Sequence, residues 1–182
     1  AGASCISVLT EPKWFLGDDR YLREIAASVS LPCIRKDFTV DPYLIYEARE
    51  LGASAVLLIC ALLGRAELEE YLGIAEELGL SALVEAHDEE EVERAAEVGA
   101  RVIGVNNRDL KSFTVNMENS LRLRAAAPDN CIFIAESGVR TPADTRTLRT
   151  VGVDGILVGE ALMRAENKAE LLQALRKGYE EA

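Results

Sequence analysis

Six times along this 182-residue chain, a short apolar run ends in side chains that can do chemistry. Thr10-Glu11 closes the first run, and Arg35-Lys36-Asp37-Phe38 closes the second. Later runs end in Glu85-Ala86-His87, Asn106-Asn107-Arg108-Asp109, Glu136-Ser137-Gly138 and Gly159-Glu160, whereas the third ends blandly in Ala61-Leu62-Leu63. A lysine such as Lys36, partly buried and beside Arg35, can have its pKa drawn toward neutrality and act as a general acid. The plainer alternative is a surface pair with Asp37. Glu85 follows Leu83-Val84, and an apolar surround can raise a carboxyl pKa for acid/base work; an ion pair with a nearby Lys or Arg is the other reading. Asn106 and Asn107 can orient a carbonyl or hydroxyl, or simply make a turn. Arg108 offers a planar fork suited to a carboxylate. His87, the one histidine, reads as a loop or capping residue rather than a base.

The elements that must position these groups follow from the same pattern. The apolar runs cover residues 5–9, 31–34, 55–60, 82–84, 102–105, 131–135 and 155–158. They are continuous and rich in Val, Ile and Leu, as strands buried on both faces are. Between them, residues 21–28, 42–51, 66–78, 89–98, 118–126, 142–151 and 168–181 carry apolar residues at three- and four-residue steps among charges, the pattern of helices lying on a sheet. Asp41-Pro42 and Thr141-Pro142 read as helix starts, and Gly52, Gly79, Gly99 and Gly152 as helix ends. A repeated strand–helix unit implies a parallel sheet with right-handed crossovers. Of the two architectures open to it, the doubly wound dinucleotide-binding sheet lacks its glycine-rich fingerprint after the first strand. The closed (β/α)8 barrel needs eight units, and seven are legible here. In such a fold, reacting groups sit past the carboxyl ends of strands, and phosphate is commonly held by the last two loops. Ser137-Gly138 and Gly159-Glu160 occupy those places. Glu160 suits a phosphate only if its carboxylate turns away.

Composition narrows the function classes. A formal charge of −11 argues against nucleic acid or an anionic membrane as a partner. No stretch approaches the ~18 apolar residues of a membrane span. Cys5, Cys33, Cys60 and Cys131 lie in or at the ends of apolar runs without C-x-x-C spacing. They are expected to be buried free thiols, consistent with a reducing, cytoplasmic compartment, and no metal site is expected. Residues 1–182 are read as one domain. The chain opens Ala1-Gly2-Ala3 without an initiator Met and runs straight into an apolar segment, so this end is expected to be a cut one.

The segments Ile6-Ser7-Val8-Leu9-Thr10-Glu11, Arg35-Lys36-Asp37-Phe38 with Asp41-Pro42-Tyr43, and Leu83-Val84-Glu85-Ala86-His87 resemble indole-3-glycerol phosphate synthases. So do Gly104-Val105-Asn106-Asn107-Arg108-Asp109-Leu110, Glu136-Ser137-Gly138-Val139 and Val158-Gly159-Glu160-Ala161-Leu162-Met163. The resemblance implies a (β/α)8 TIM barrel that closes the ring of 1-(2-carboxyphenylamino)-1-deoxyribulose 5-phosphate with loss of carbon dioxide and water, without a cofactor. It implies Lys36 as general acid, Glu85 as its acid/base partner, and Asn106 as a residue holding hydroxyls and a catalytic side chain. Arg108 would meet the anthranilate carboxylate, and Glu136 and Ser137 would position the sugar chain. Gly138, Gly159 and the backbone at Glu160 would cradle the phosphate, while Phe15, Phe38 and Leu110 would wall the aromatic ring.

The chain departs from the family pattern at its start. Relative to that pattern, the first strand, with an acid and a second lysine, and the helical extension before it are expected to be missing. The strands at 5–9 and 156–158 are then expected to expose edges, and the chain alone to be inactive or nearly so. Other readings stay open: a phosphate-binding barrel fragment that pairs with a separate first segment or a fused tryptophan-pathway domain, or a related barrel enzyme such as phosphoribosylanthranilate isomerase. The last would want a Cys–Asp pair, for which Cys33 is a poor stand-in.

Overall fold

The computed structural model describes residues 1–108 and 114–181. Seven strands alternate with helices. They are β1 (Ile6–Leu9), β2 (Cys33–Lys36), β3 (Ala55–Ile59), β4 (Ser81–Ala86), β5 (Val102–Asn106), β6 (Ile132–Glu136) and β7 (Gly155–Leu157). The helices are α1 (Asp19–Ser28), α2 (Tyr43–Glu50), α3 (Arg65–Glu77), α4 (Glu89–Glu97), α5 (Glu118–Leu123), α6 (Pro142–Thr150), α7 (Glu160–Arg164) and α8 (Lys168–Glu180). The chain divides into two compact units, one of residues 4–85 and 97–100, the other of residues 1–3, 86–96 and 101 onward.

In the first unit β1, β2, β3 and β4 pair in parallel and in chain order. Val56, Leu57, Leu58 and Ile59 of β3 are all buried, as a strand covered on both faces requires. Leu22 of α1, Ile45 and Ala48 of α2, and Leu68, Tyr71 and Ala75 of α3 are the helices' buried residues, and their three- and four-residue spacing keeps them on one face. α1 starts at Asp18, whose carboxylate accepts from the Arg20 N–H. The Leu-Gly corners after α2 and α3 place Gly52 and Gly79 at φ +90° and +69°, left-handed values that a side chain resists.

In the second unit β5, β6 and β7 are parallel, with Asn106, Glu136 and Leu157 in one row. α6 opens on a capping box. The Thr141 hydroxyl accepts from Asp144 N at 3.3 Å, while the Asp144 carboxylate accepts from Thr141 N and Arg140 N at 2.8 and 2.9 Å. α8 packs tightly on α6 at Gly178, where an added Cβ would lie 2.4 Å from the Pro142 carbonyl oxygen.

Several boundaries differ from the sequence reading. β2 lies two residues later than 31–34 and carries Arg35 and Lys36 inside the strand. The helix expected over 118–126 ends at Leu123 and continues as a 3-10 turn over Arg124–Ala126. α7, a single short helix after β7, falls between the run at 155–158 and the helix pattern at 168–181. Cys33, Cys60 and Cys131 are buried free thiols as expected, but Cys5 is exposed. It stands just before β1, whose only buried residue is Val8. No helix among the described residues is long and apolar enough to cross a membrane.

Candidate functional site

Strand register explains how Lys36 meets Glu85. Arg35 pairs with Val56, which puts Lys36 beside Leu57; Leu57 pairs with Leu83, and Glu85 lies two residues beyond. Side chains alternate along a strand, so Lys36, Leu57, Leu83 and Glu85 emerge on one face. The Lys36 ammonium reaches across β3 and donates to the Glu85 carboxylate, Nζ to Oε2 3.0 Å. The side chains are 14% and 3% exposed. A lysine with this partner has a proton held in place and a buried base beside it, the two functions an acid/base pair needs. Asp37 meanwhile turns to Thr10 and Arg35.

Arg35 takes the opposite face of β2. Its guanidinium, 3% exposed, donates to the Thr10 hydroxyl at 3.1 Å, the Leu44 carbonyl at 3.0 Å and the Asp19 carboxylate at 2.9 Å. Glu47 lies at 2.9 Å and Asp37 at 3.4 Å. One cation therefore ties β1, α1 and α2 to the strand that carries Lys36. Burial holds the Asp19 carboxyl above its ordinary range; Arg35 opposes this, while Glu47 and Asp37 add to it.

Beyond β1 and β2 the rings of Phe15 and Phe38 meet with centroids 4.8 Å apart and planes tilted by 43°. Both residues are half-buried.

In the second unit, Asn106 and Glu136 share a row and are buried. The Asn106 side-chain oxygen accepts from the Arg108 N–H at 3.0 Å, turning the chain after β5. Asn107 is a structural junction. Its amide nitrogen donates to the Ser137 carbonyl at 3.1 Å, and its oxygen accepts from both the N–H and the hydroxyl of Ser120, at 3.0 and 2.8 Å. It thus fixes the loop that carries Ser137 and Gly138, whose φ values of +64° and +87° are both left-handed. An added Cβ on Gly138 would lie 2.6 Å from Val115 Cγ1, so only glycine fits there. At Gly159 φ is −117° and nothing lies within 4 Å of where a Cβ would stand, so that glycine supplies room rather than a special conformation. Glu160 turns its carboxylate to Arg108 at 3.1 Å and to Arg164 at 3.1 Å. The hydrogen bond and charge of Arg164, then Arg108, hold its pKa below the ordinary carboxylate range. His87 stands before α4 with Nδ1 3.2 Å from the Glu91 carboxylate.

Comparison with known proteins places these side chains in a family. The family model described as indole-3-glycerol phosphate synthase matches residues 1–175. The chain belongs to the indole-3-glycerol phosphate synthase family. A synthase of that name from Ruminiclostridium cellulolyticum is 55% identical over 176 residues, covering 97% of this chain and 68% of the relative. Another, from Lachnoclostridium phytofermentans, is 53% identical over 175 residues, covering 96% of this chain and 65% of the relative. The chain thus spans about two thirds of the length of these relatives. Among solved structures it is similar to 3-hexulose-6-phosphate synthase from Salmonella typhimurium, with a TM-score of 0.84 at 14% identity over 98% of this chain and 87% of that one. It is also similar to thiamine phosphate pyrophosphorylase from Pyrococcus furiosus, with a TM-score of 0.75 at 22% identity over 99% and 84%. At these identities the likeness is one of fold.

For a chain of the synthase family, the geometry sorts the expected residues into groups. Lys36 and Glu85 are in direct contact, and Phe15 and Phe38 form a ring pair. Asn106 and Glu136 share a strand row, and Arg108 and Glu160 form an ion pair. Ser137 and Gly138 sit on a loop fixed by Asn107. Leu110 lies outside the described residues. Sequence reasoning assigns no role to Thr10 or Glu11 and reads Asp37 only as a surface partner of Lys36, whereas Asp37 is buried and meets Thr10 and Arg35. Their signal was position alone, as polar residues at the ends of β1 and β2. Among the described residues, no group of three or more His, Cys, Asp or Glu side chains could hold a metal ion.

Proposed function

We propose that this chain supplies the catalytic groups for closing the indole ring of 1-(2-carboxyphenylamino)-1-deoxyribulose 5-phosphate. The observation that carries the reading is the buried Lys36–Glu85 pair, 3.0 Å apart, in a chain matched by the synthase family model over residues 1–175. The ring carbon bearing the carboxylate attacks the ribulose carbonyl carbon, and the carbonyl oxygen takes a proton from the Lys36 ammonium as its π electrons move onto it. The attack breaks aromaticity. Loss of carbon dioxide restores it, because the electron pair of the departing C–C bond returns to the ring. The new hydroxyl then leaves as water while the neighbouring CH₂ carbon loses a proton, giving the indole. Glu85, already within hydrogen-bonding distance of Lys36, is the acid/base partner that takes and returns protons in these steps.

The remaining roles are those of the family pattern. Asn106 holds hydroxyls and a catalytic side chain, Glu136 and Ser137 position the sugar chain, and Arg108 meets the carboxylate. Gly138, Gly159 and the Glu160 backbone receive the phosphate, and Phe15, Phe38 and Leu110 flank the ring. In this reading the seven strand–helix repeats belong to a (β/α)8 barrel, residues 1–182 belong to one domain, and the enzyme is cytoplasmic. The parallel repeats and the likeness to the solved folds support the first two, and the buried thiols the last.

The test is indole fluorescence on mixing the carboxyphenylamino-deoxyribulose phosphate with the protein, supplemented with the family's first strand–helix unit where the chain alone is silent. Lys36→Ala is expected to lower kcat by about 10²–10⁴-fold, the usual worth of a positioned general acid. Undiminished kcat in that variant would overturn the assignment.

A further inference from the structure

The loop after β1 is held in an unusual way, by a side chain inside the loop rather than by a partner strand. The Glu11 carboxylate turns forward over its own chain and accepts three successive backbone N–H groups. Lys13 N donates to Oε1 at 2.9 Å, and Trp14 N and Phe15 N donate to Oε2 at 2.5 and 2.9 Å. The far end of the loop is pinned to the same place, with Gly17 N donating to the Glu11 carbonyl at 2.8 Å and Asp18 N to the Leu9 carbonyl at 3.3 Å. Between the two anchors, Leu16 is forced to φ +54°, and Gly17 lies so close to β1 that an added Cβ would stand 2.4 Å from the Leu9 carbonyl oxygen. Trp14 and Leu16 point outward, 69% and 79% exposed, so apolar burial of these neighbours does not explain the loop's shape. What the shape achieves is the placing of Phe15 against Phe38.

Phe38 is tethered to the same strand end by a second route. Its N–H donates to Asp37 Oδ1 at 2.8 Å, and Asp37 Oδ2 accepts from the Thr10 hydroxyl at 2.5 Å. Thr10 and Glu11 are adjacent residues, and each governs one ring of the pair.

We propose that Glu11 is a positioning residue for substrate binding: its carboxylate fixes the 11–17 loop so that Phe15 stands beside Phe38 as a preformed wall for the substrate's aromatic ring. The proposal rests on the functional reading above for its substrate. The chemistry explains why the residue is a glutamate. A carboxylate is acceptor-only at both oxygens, whereas a glutamine would turn an NH₂ group toward an N–H donor. Burial works to raise the Glu11 pKa, but the N–H groups of Phe15, Lys13 and Trp14, with the Lys13 charge, outweigh it and hold the group ionised. A ring wall grips the aromatic ring before and during the reaction alike, so its loss weakens binding rather than the chemical step.

The experiment has two arms, using Glu11→Gln, Phe15→Ala and the double variant. In the first, trypsin cleavage after Lys13 and the emission of Trp14, the single tryptophan, report the loop without substrate. Glu11→Gln is expected to speed that cleavage about tenfold, as the loss of charged hydrogen bonds implies, and to shift the emission. Unchanged cleavage and emission would overturn the proposal whatever the enzyme does. In the second arm, Glu11→Gln is expected to raise KM several-fold with kcat nearly intact, in contrast to Lys36→Ala. It should add nothing to KM in the Phe15→Ala background. A kcat loss without a KM change, or additive effects on KM, would also overturn it. A wild-type protein that neither binds nor turns over the substrate even when supplemented with the family's first strand–helix unit would sink the functional reading instead, and the first arm would still decide the loop.

Discussion

Arg35→Met removes the one cation that Asp19, Asp37 and Glu47 converge on, and its cost can be worked from the structure. Deleting one partner of a buried ion pair typically costs about 3–5 kcal/mol, because the stranded charge keeps its desolvation penalty. Here the arginine is almost wholly buried, but Asp19 is 44% exposed and Glu47 26%, so water screens part of the loss. The lower end, about 3 kcal/mol, is therefore expected, which for a chain of this size means a melting temperature lower by roughly 6–12 °C. The Asp19 carboxyl already titrates above its ordinary range through burial, which Arg35 opposes. Without Arg35 it moves further up. An acid whose folded-state pKa is raised contributes stability below its unfolded value and loses it as pH rises through the folded one. The deficit of Arg35→Met must therefore grow as pH rises above the ordinary carboxylate range, and Asp19→Asn in the variant must recover part of it. Thermal melts by far-UV circular dichroism across that rise are the assay. A deficit below about 1 kcal/mol, or one independent of pH, would refute the reasoning, since either result means that the three carboxylates do not need the arginine.

Two further outcomes follow from other contacts. Glu160 occupies Arg108, the group assigned to the substrate carboxylate, so Glu160→Gln should lower KM. The effect should be small, as for any solvent-screened pair, and is read from steady-state kinetics; a rise in KM would count against that role for Arg108. Because the Glu160 pKa is lowered, its pairing with Arg108 and Arg164 persists above the ordinary carboxylate range and is lost only as pH falls through the depressed value. The difference between wild type and variant should vanish only in acid. At the start of α6, Asp144→Ala should destabilise more than Thr141→Ala, each by about 0.5–2 kcal/mol in urea titrations. Asp144 accepts two backbone N–H groups at 2.8 and 2.9 Å, against one at 3.3 Å for Thr141.

The sequence made the order of strands and of most helices legible because most strands contain a short apolar run and most helices carry their buried residues on one face. At the carboxyl ends of four strands its errors have a common direction. Apolarity stops at Ile34, Val84, Val105 and Ala135, but the strands run on to Lys36, Ala86, Asn106 and Glu136. Backbone pairing does not depend on side-chain polarity, so a hydrophobic pattern ends where the ladder continues. Those extra residues include Lys36, Glu85, Asn106 and Glu136, all assigned site positions. Being inside strands rather than in loops, they have fixed side-chain directions, and Lys36 and Arg35 are sent to opposite faces. What stayed illegible is what depends on contacts distant in sequence or on the path of a loop. Nothing in Thr10 or Asp37 announces a bond across 27 residues, and nothing in Glu11 tells that its carboxylate folds forward onto Phe15. Cys5 failed for a related reason: its sequence neighbours are apolar, but exposure is set by what packs over a residue in space. The residues that do chemistry could thus be picked out by type and place, whereas the residues that aim them became visible only through the hydrogen bonds of the folded chain.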